Sequence, residues 1–199
     1  MNLGLPAAAM DQLANYLTLL VKWNRVYNLT AVRDEGKLVT HHVLDCLAVV
    51  EHLPPGNVVD VGSGAGLPGI PVAIACPDRS VTLVDANQKK SAFLKQVIAE
   101  LCLSSVNVVT ERVETYRPTE LFNTVISRAF SDLASFVKLA GHLCAADGVM
   151  IAMKGLNPED ELAGLPSSWQ VSSTVPLHVP GLEASRHLVF VSPPSTTSH

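Results

Sequence analysis

Cysteine is scarce and scattered in this 199-residue chain. Cys46, Cys76, Cys102 and Cys144 form no CxxC pair and do not cluster with histidines, which excludes a disulfide scaffold and a zinc site. Reduced, buried thiols in a cytoplasmic protein are expected instead. No uncharged apolar run reaches the length of a membrane span, so no membrane association is expected. The first basic residue is Lys22, and Asp11 interrupts the early apolar stretch, so no secretory signal is expected. Charge is also sparse, at 16% of residues with a formal net charge of −4. That excludes a uniformly basic coat for nucleic acid and leaves room only for local basic patches.

What is present is a hydrophobic fraction of 48%, ample for one domain with a full core. Met10–Tyr27 carries apolar residues near helical spacing, and Glu35–Leu53 does so again, with Val39, Val43, Leu47 and Val50 on one face. "LPPGN" then stops the helix. Beyond it, apolar strands alternate with amphipathic helices. "NVVDV", "SVTLVDA", "VNVVT", "FNTVISRA" and "GVMIAMKG" read as strands. "LPGIPVAIAC", "KKSAFLKQVIAELC" and "SDLASFVKLAGHLC" read as the helices between them. Nearly continuous apolarity marks strands covered on both faces, and the alternation predicts right-handed βαβ units around a parallel sheet. "WQVSSTVPLHV" and "RHLVFVS" read as an antiparallel edge pair. The expected architecture is a Rossmann-like α/β fold with a doubly wound, mostly parallel sheet and an antiparallel edge. Its expected parts are an N-terminal helical extension over 1–54, a core over 55–193 and a frayed tail over 194–199.

Four glycines fall within "DVGSGAGLPGIP", at the turn from the first strand to the first helix of this core. Glycine inside an element costs roughly 0.5–1 kcal/mol relative to alanine, so the cluster needs a reason. A plain turn is one reason; at this switch point of the sheet a ligand that meets bare backbone is the better one. Asp85 ends the next strand, where a carboxylate accepts hydrogen bonds from both hydroxyls of a ribose. Loop and acid together point to a nucleoside cofactor. "GAGLPG" at 64–69 matches GxGxxG and so admits NAD. In the frame set by the strand the pattern is GxGxG at 62–66 behind Asp60, the usual frame for S-adenosylmethionine (SAM). Too few residues follow the core for a dehydrogenase's substrate domain, and no histidine paired with an aspartate suggests hydride transfer. A nucleoside- or RNA-binding module without catalysis is the third reading.

Seven segments carry a more specific resemblance: "KWNRVYNLTAVRD", "HHVLD", "DVGSGAGLPGIPVAI", "RVE", "VISRAF", "MKG" and "RHL", in that order. Together they resemble the bacterial 16S ribosomal RNA guanine-N7 methyltransferase family, also called glucose-inhibited division protein B, over roughly residues 10–190. The resemblance implies SAM-dependent methylation of N7 of one guanine, number 527, in a hairpin loop of the small-subunit RNA. It also implies that Gly62 and Leu67 meet SAM from the glycine loop and that Asp85 is the ribose acid; Gly64 is expected to meet the cofactor as bare backbone of the same loop. Val113 and Glu114 would flank the adenine after the third strand, and Arg128 would close the site after the fourth. One departure is His41, where the family often has arginine before His-x-x-Asp.

The residues themselves agree with that chemistry. After the fourth strand the chain reads Ser127-Arg128-Ala129-Phe130, without the Asn/Asp-Pro-Pro-aromatic turn used on exocyclic amines. N7 of guanine has a lone pair and no proton, so no general base is needed and none is assigned. Arg128 suits a methionine carboxylate, or a carboxylate of the protein itself. Because N7 lies in the deep groove of A-form RNA, the target must be a loop or splayed base. Candidate RNA contacts are Lys22, Arg25, Arg33 and Lys37, then Lys89 and Lys90, and finally Lys154 and Arg186. Trp23 and Tyr27, four apart on an amphipathic helix, read as packing residues before base-stacking ones; Asn28 and Thr30 suit equally the end of that helix and a contact to RNA. A monomer acting on 16S rRNA or the small ribosomal subunit is the expected state.

Overall fold

The β-strands gather into one seven-stranded sheet of order β3-β2-β1-β4-β5-β7-β6, with the apolar strands at its centre and the half-polar Gln170–Leu177 at one edge. They are β1 (Val58–Val61), β2 (Val81–Val84), β3 (Val106–Val109), β4 (Phe122–Ser127), β5 (Cys144–Lys154), β6 (Gln170–Leu177) and β7 (Arg186–Ser192). β1 to β5 are mutually parallel; β7 runs antiparallel between β5 and β6. The computed structural model describes residues 4–32, 34–130, 132–155, 161 and 164–193, without the side chain of Glu35. Arg33 and the tail over 194–199 lie outside the described residues.

Helices cover both faces. α1 (Ala7–Tyr27), α4 (Gly69–Ala75) and α5 (Gln88–Leu101) pack on one side, α6 (Leu133–Ala140) on the other. Strand alternation divides the core accordingly: Val58 joins the cluster of α1, α4 and α5, whereas Val59 and Val61 join that of α6. Asp60 shares the side of Val58, a carboxylate inside the apolar layer. On α1, Leu13, Tyr16 and Leu20 form the buried stripe, and Asn28 in the left-handed conformation (φ 50°) ends the helix. Thr30 N–H then donates to the side chain of Asn24, so both Asn28 and Thr30 take part in closing the helix, the first of the two roles they suit. Asn87 caps α5 by accepting from the N–H groups of Lys89 and Lys90.

Three elements depart from expectation. The helix expected over Glu35–Leu53 is α2 (Glu35–Leu38), a π-helical turn over Val39–Leu44, α3 (Asp45–Leu47) and a 3₁₀ turn over Val50–His52. The wider turn rotates the register, so Val39 is 44% exposed while His42 and Asp45 are buried. β5 starts at Cys144 rather than Gly148, because Phe122 pairs with Cys144 before an irregularity that skips "AADG", and the register resumes at Thr124 and Val149. The tail strands pair antiparallel as expected, but the later one lies inside the sheet and the earlier one forms the edge.

Candidate functional site

The glycine loop leaves β1 at its C-terminal end and is tied to the end of β2. Gly62 N–H donates to the Val84 carbonyl at 2.9 Å, and Gly64 N–H to Asp85 Oδ2 at 2.8 Å. Asp85 Oδ1 accepts from Asn87 N–H at 2.8 Å, so one buried carboxylate holds the loop and the start of α5 together. Gly62 (φ +70°) has a conformation that L side chains avoid, and a Cβ there would press on Ala129 Cβ at 3.0 Å. Its bare backbone therefore keeps open a crevice of about 230 Å³, lined by Gly62, Asp85, Ala86, Val113, Glu114 and Phe130 among others. Beneath the loop, Tyr16 of α1, fully buried, donates its hydroxyl hydrogen to the Ala65 carbonyl at 2.7 Å.

Asp60 lies under the same loop with no exposure. Its Oδ2 accepts from Gly69 N–H at 2.9 Å, while Oδ1 has no hydrogen-bond partner among the described residues. Burial pushes this carboxyl up to about 7, against the opposing pull of the Gly69 bond.

A second pocket of about 340 Å³ opens at the same C-terminal end of the parallel strands. The π-helical turn brings His41, His42 and Asp45 to it; Arg128 comes from the end of β4, Lys154 from β5 and Arg186 from β7. Asp45, 2% exposed, bridges two arginines: Arg186 Nε at 3.0 Å from Oδ1 and Arg128 Nη1 at 3.3 Å from Oδ2. Arg128 Nη1 also donates to the His41 carbonyl at 3.2 Å. Lys154 Nζ donates to Glu161 Oε2 at 2.8 Å. His42 Nδ1 lies 2.9 Å from the His41 carbonyl and so carries the proton, leaving Nε2 to accept from the Thr30 hydroxyl at 2.7 Å. Burial first, and the Arg128 charge second, lower the His42 pKa to about 4, so the ring is neutral.

Of the residues expected from sequence to meet a cofactor, Gly62, Asp85, Val113 and Glu114 line one crevice, and Gly64 is bonded to Asp85. Leu67 instead sits in the core behind the loop, 5% exposed, its N–H donating to the Ser63 carbonyl. Arg128 points into the neighbouring pocket and onto Asp45. Of the expected RNA contacts, Lys154 and Arg186 join Arg128 there. Lys22, Arg25 and Lys37 are exposed on α1 and α2. Lys89 stands 5.7 Å from the Tyr27 ring centroid, linking α5 to α1. Trp23 packs on Phe93 and Tyr27 and donates to Gln96, as a packing residue. Sequence reading gave no role to Asp45, His42 or Tyr16. For Asp45 the signal was there: a single carboxylate in the apolar run "VLDCLAVV" must be buried and paired.

A family model described as rRNA small subunit methyltransferase G matches residues 9–189. The chain is 54% identical over 188 residues to "Ribosomal RNA small subunit methyltransferase G" of Chromobacterium violaceum, covering 94% of this chain and 90% of that protein. To the protein of the same name from Nitrosococcus oceani it is 46% identical over 199 residues, covering 100% and 93%. Among solved structures, the glycopeptide N-methyltransferase MtfA in complex with SAM superposes with TM-score 0.62 at 11% identity, covering 77% of this chain and 95% of that one. A SAM-dependent methyltransferase from Thiobacillus denitrificans superposes at TM-score 0.52 and 12% identity, covering 75% and 90%. Identities this low speak for the fold, which is the Rossmann-like fold of class I methyltransferases. With the family model spanning both the glycine loop and the arginine-lined pocket, the chain belongs to the rRNA small subunit methyltransferase G family.

Proposed function

We propose that this protein transfers the methyl group of SAM to N7 of a guanine in 16S ribosomal RNA, at position 527 in a hairpin loop. The observation that carries the cofactor half is the Gly64–Asp85 bond beside the crevice: a left-handed glycine loop at the end of β1 locked to a carboxylate at the end of β2. The residues fit an adenosyl group. Gly62 offers bare backbone where a side chain would fill the crevice, Asp85 has lone pairs for ribose hydroxyls, and Val113 and Glu114 offer an apolar and a polar edge for the purine. The antiparallel β7 also departs from the parallel order of dinucleotide-binding sheets, which disfavours the NAD reading.

When bound, SAM supplies an activated methyl group on a sulfonium. The chain's own part is positioning. N7 presents a lone pair and no proton, so no side chain has to act as a base. Ordering of two reactants is worth ~7–11 kcal/mol in favourable cases, enough to make placement the main source of rate. The glycine loop, held by Asp85 above and by Tyr16 below, fixes one reactant. The cationic pocket beside it is the side from which RNA approaches. Calorimetry against SAM and NAD, with labelled methyl transfer to small- and large-subunit RNA, tests this reading. It requires SAM binding, no NAD binding and label in the small-subunit RNA alone; NAD binding or unlabelled RNA contradicts it.

A further inference from the structure

Resting on that reading, we propose that the pocket formed by Asp45, Arg128 and Arg186 is a phosphate cradle. It holds one phosphodiester of the target nucleotide, with Asp45 as the positioning residue that holds both arginines in place.

Charge comes first. Asp45 lies between the two guanidinium groups and offsets one of them, which leaves a net charge of +1. Lys154 and Glu161 cancel each other, and His42 is neutral. A site of net +1 is matched by a single monoanion, and each phosphodiester of an RNA backbone carries one negative charge. Donors come next. Arg186 uses Nε on Asp45 and Nη1 on the Ser185 carbonyl, so Nη2 has no hydrogen-bond partner among the described residues. Arg128 commits Nη1 to Asp45 and His41, while its Nη2 lies 3.5 Å from His42 Nδ1, a nitrogen already turned to another acceptor. Two guanidinium groups therefore keep N–H groups for an incoming oxygen acceptor, the geometry that suits arginine to phosphate. Both side chains are about a quarter exposed, at 27% and 22%, so the donors are reachable from solvent while their anchor is not.

Position completes the inference. Lys154 and His187 are register partners, so Arg186 sits at the end of the sheet where the parallel strands stop. Arg128 is followed directly by Ala129 and Phe130, which wall the crevice assigned to SAM. A nucleotide whose phosphate rests on Arg186 thus has its base within reach of that crevice, as a splayed base requires. The volume of about 340 Å³ exceeds what a phosphate group alone needs and admits the adjoining sugar.

The test uses the intact protein, small-subunit RNA and a salt series. Arg186→Gln should raise the KM for RNA about tenfold or more and make the slope of log affinity against log salt shallower by ~0.7, one phosphate contact. SAM affinity should stay within a factor of two. Arg186→Lys, keeping the charge, should restore the wild-type salt slope with only part of the affinity. A wild-type salt slope in Arg186→Gln overturns the cradle. So does a tenfold loss of SAM affinity in that variant, which would make the anion the methionine carboxylate. Methyl transfer by the wild-type protein in the same assay separates these outcomes from a failure of the methyltransferase reading itself.

Discussion

Replacing Asp85 by alanine removes two interactions at once, and the structure gives both a magnitude. Its carboxylate accepts from Gly64 N–H and Asn87 N–H, each at 2.8 Å, and is 9% exposed. Hydrogen bonds to a charged group contribute ~1.5–3 kcal/mol each, and water entering the crevice restores part of that, so the net loss is about 2–4 kcal/mol. For a chain of this length that lowers Tm by roughly 4–15 °C. A strand-end acid kept only for a ligand would be removable without thermal cost; this one also holds the loop. SAM affinity should fall at least tenfold, or about 1.4 kcal/mol, through lost ribose contacts and a loosened loop. Asp85→Asn keeps one carbonyl acceptor but turns its amide toward the other N–H, and should fall between wild type and alanine on both scales. Thermal melts and SAM calorimetry on the three proteins check this. An alanine variant with both the wild-type Tm and the wild-type SAM affinity refutes the reasoning.

Other outcomes follow from the same geometry. Gly66→Ala should cost more than Gly64→Ala in Tm and in SAM affinity. Both glycines have positive φ, worth ~1–2 kcal/mol for an L residue, but only at Gly66 would the Cβ meet Ile70 and Leu94, at 2.5 and 2.8 Å. Tyr16→Phe should lose about 1–3 kcal/mol of stability by stranding the buried Ala65 carbonyl and should weaken SAM binding; a melt and a titration read both. The pH dependence of stability contains two opposed contributions. Asp60, raised to about 7, holds more protons folded than unfolded between its ordinary range and 7, so its contribution falls as pH rises through that window. His42, lowered to about 4, contributes stability above its ordinary value that is lost as pH falls toward 4. Relative to wild type, Asp60→Asn should therefore gain stability with rising pH over roughly pH 4 to 7, and His42→Gln should lose it, each by ~1.4 kcal/mol per pH unit at most. Urea titrations across pH 4–8 give the two difference curves.

Much of this was legible in the sequence because it is local. Strand apolarity, the alternation of elements and the glycine loop each lie within a dozen residues, and Asp85 announces itself by ending a strand. The π-helical turn was not legible: "VTHHVLD" has ordinary helical spacing, and only packing rotates it to bury His42 and Asp45. Nor was the order of the last two strands, since β6 and β7 satisfy each other's hydrogen bonds whichever of them meets β5. The paired pocket was hidden by distance along the chain. Arg186 reaches Asp45 across 141 residues and Arg128 across 83, and no local pattern joins them.

The measurement that bears most directly on the central claim is a map of N7-methylguanine in small-subunit RNA, by chemical cleavage at the modified base, before and after incubation with the protein and SAM. One new cleavage, at guanine 527 in its hairpin loop, absent without SAM and strongly reduced with Asp85→Ala, is the predicted result. No new cleavage, or methylation at an exocyclic amine instead of N7, contradicts the account.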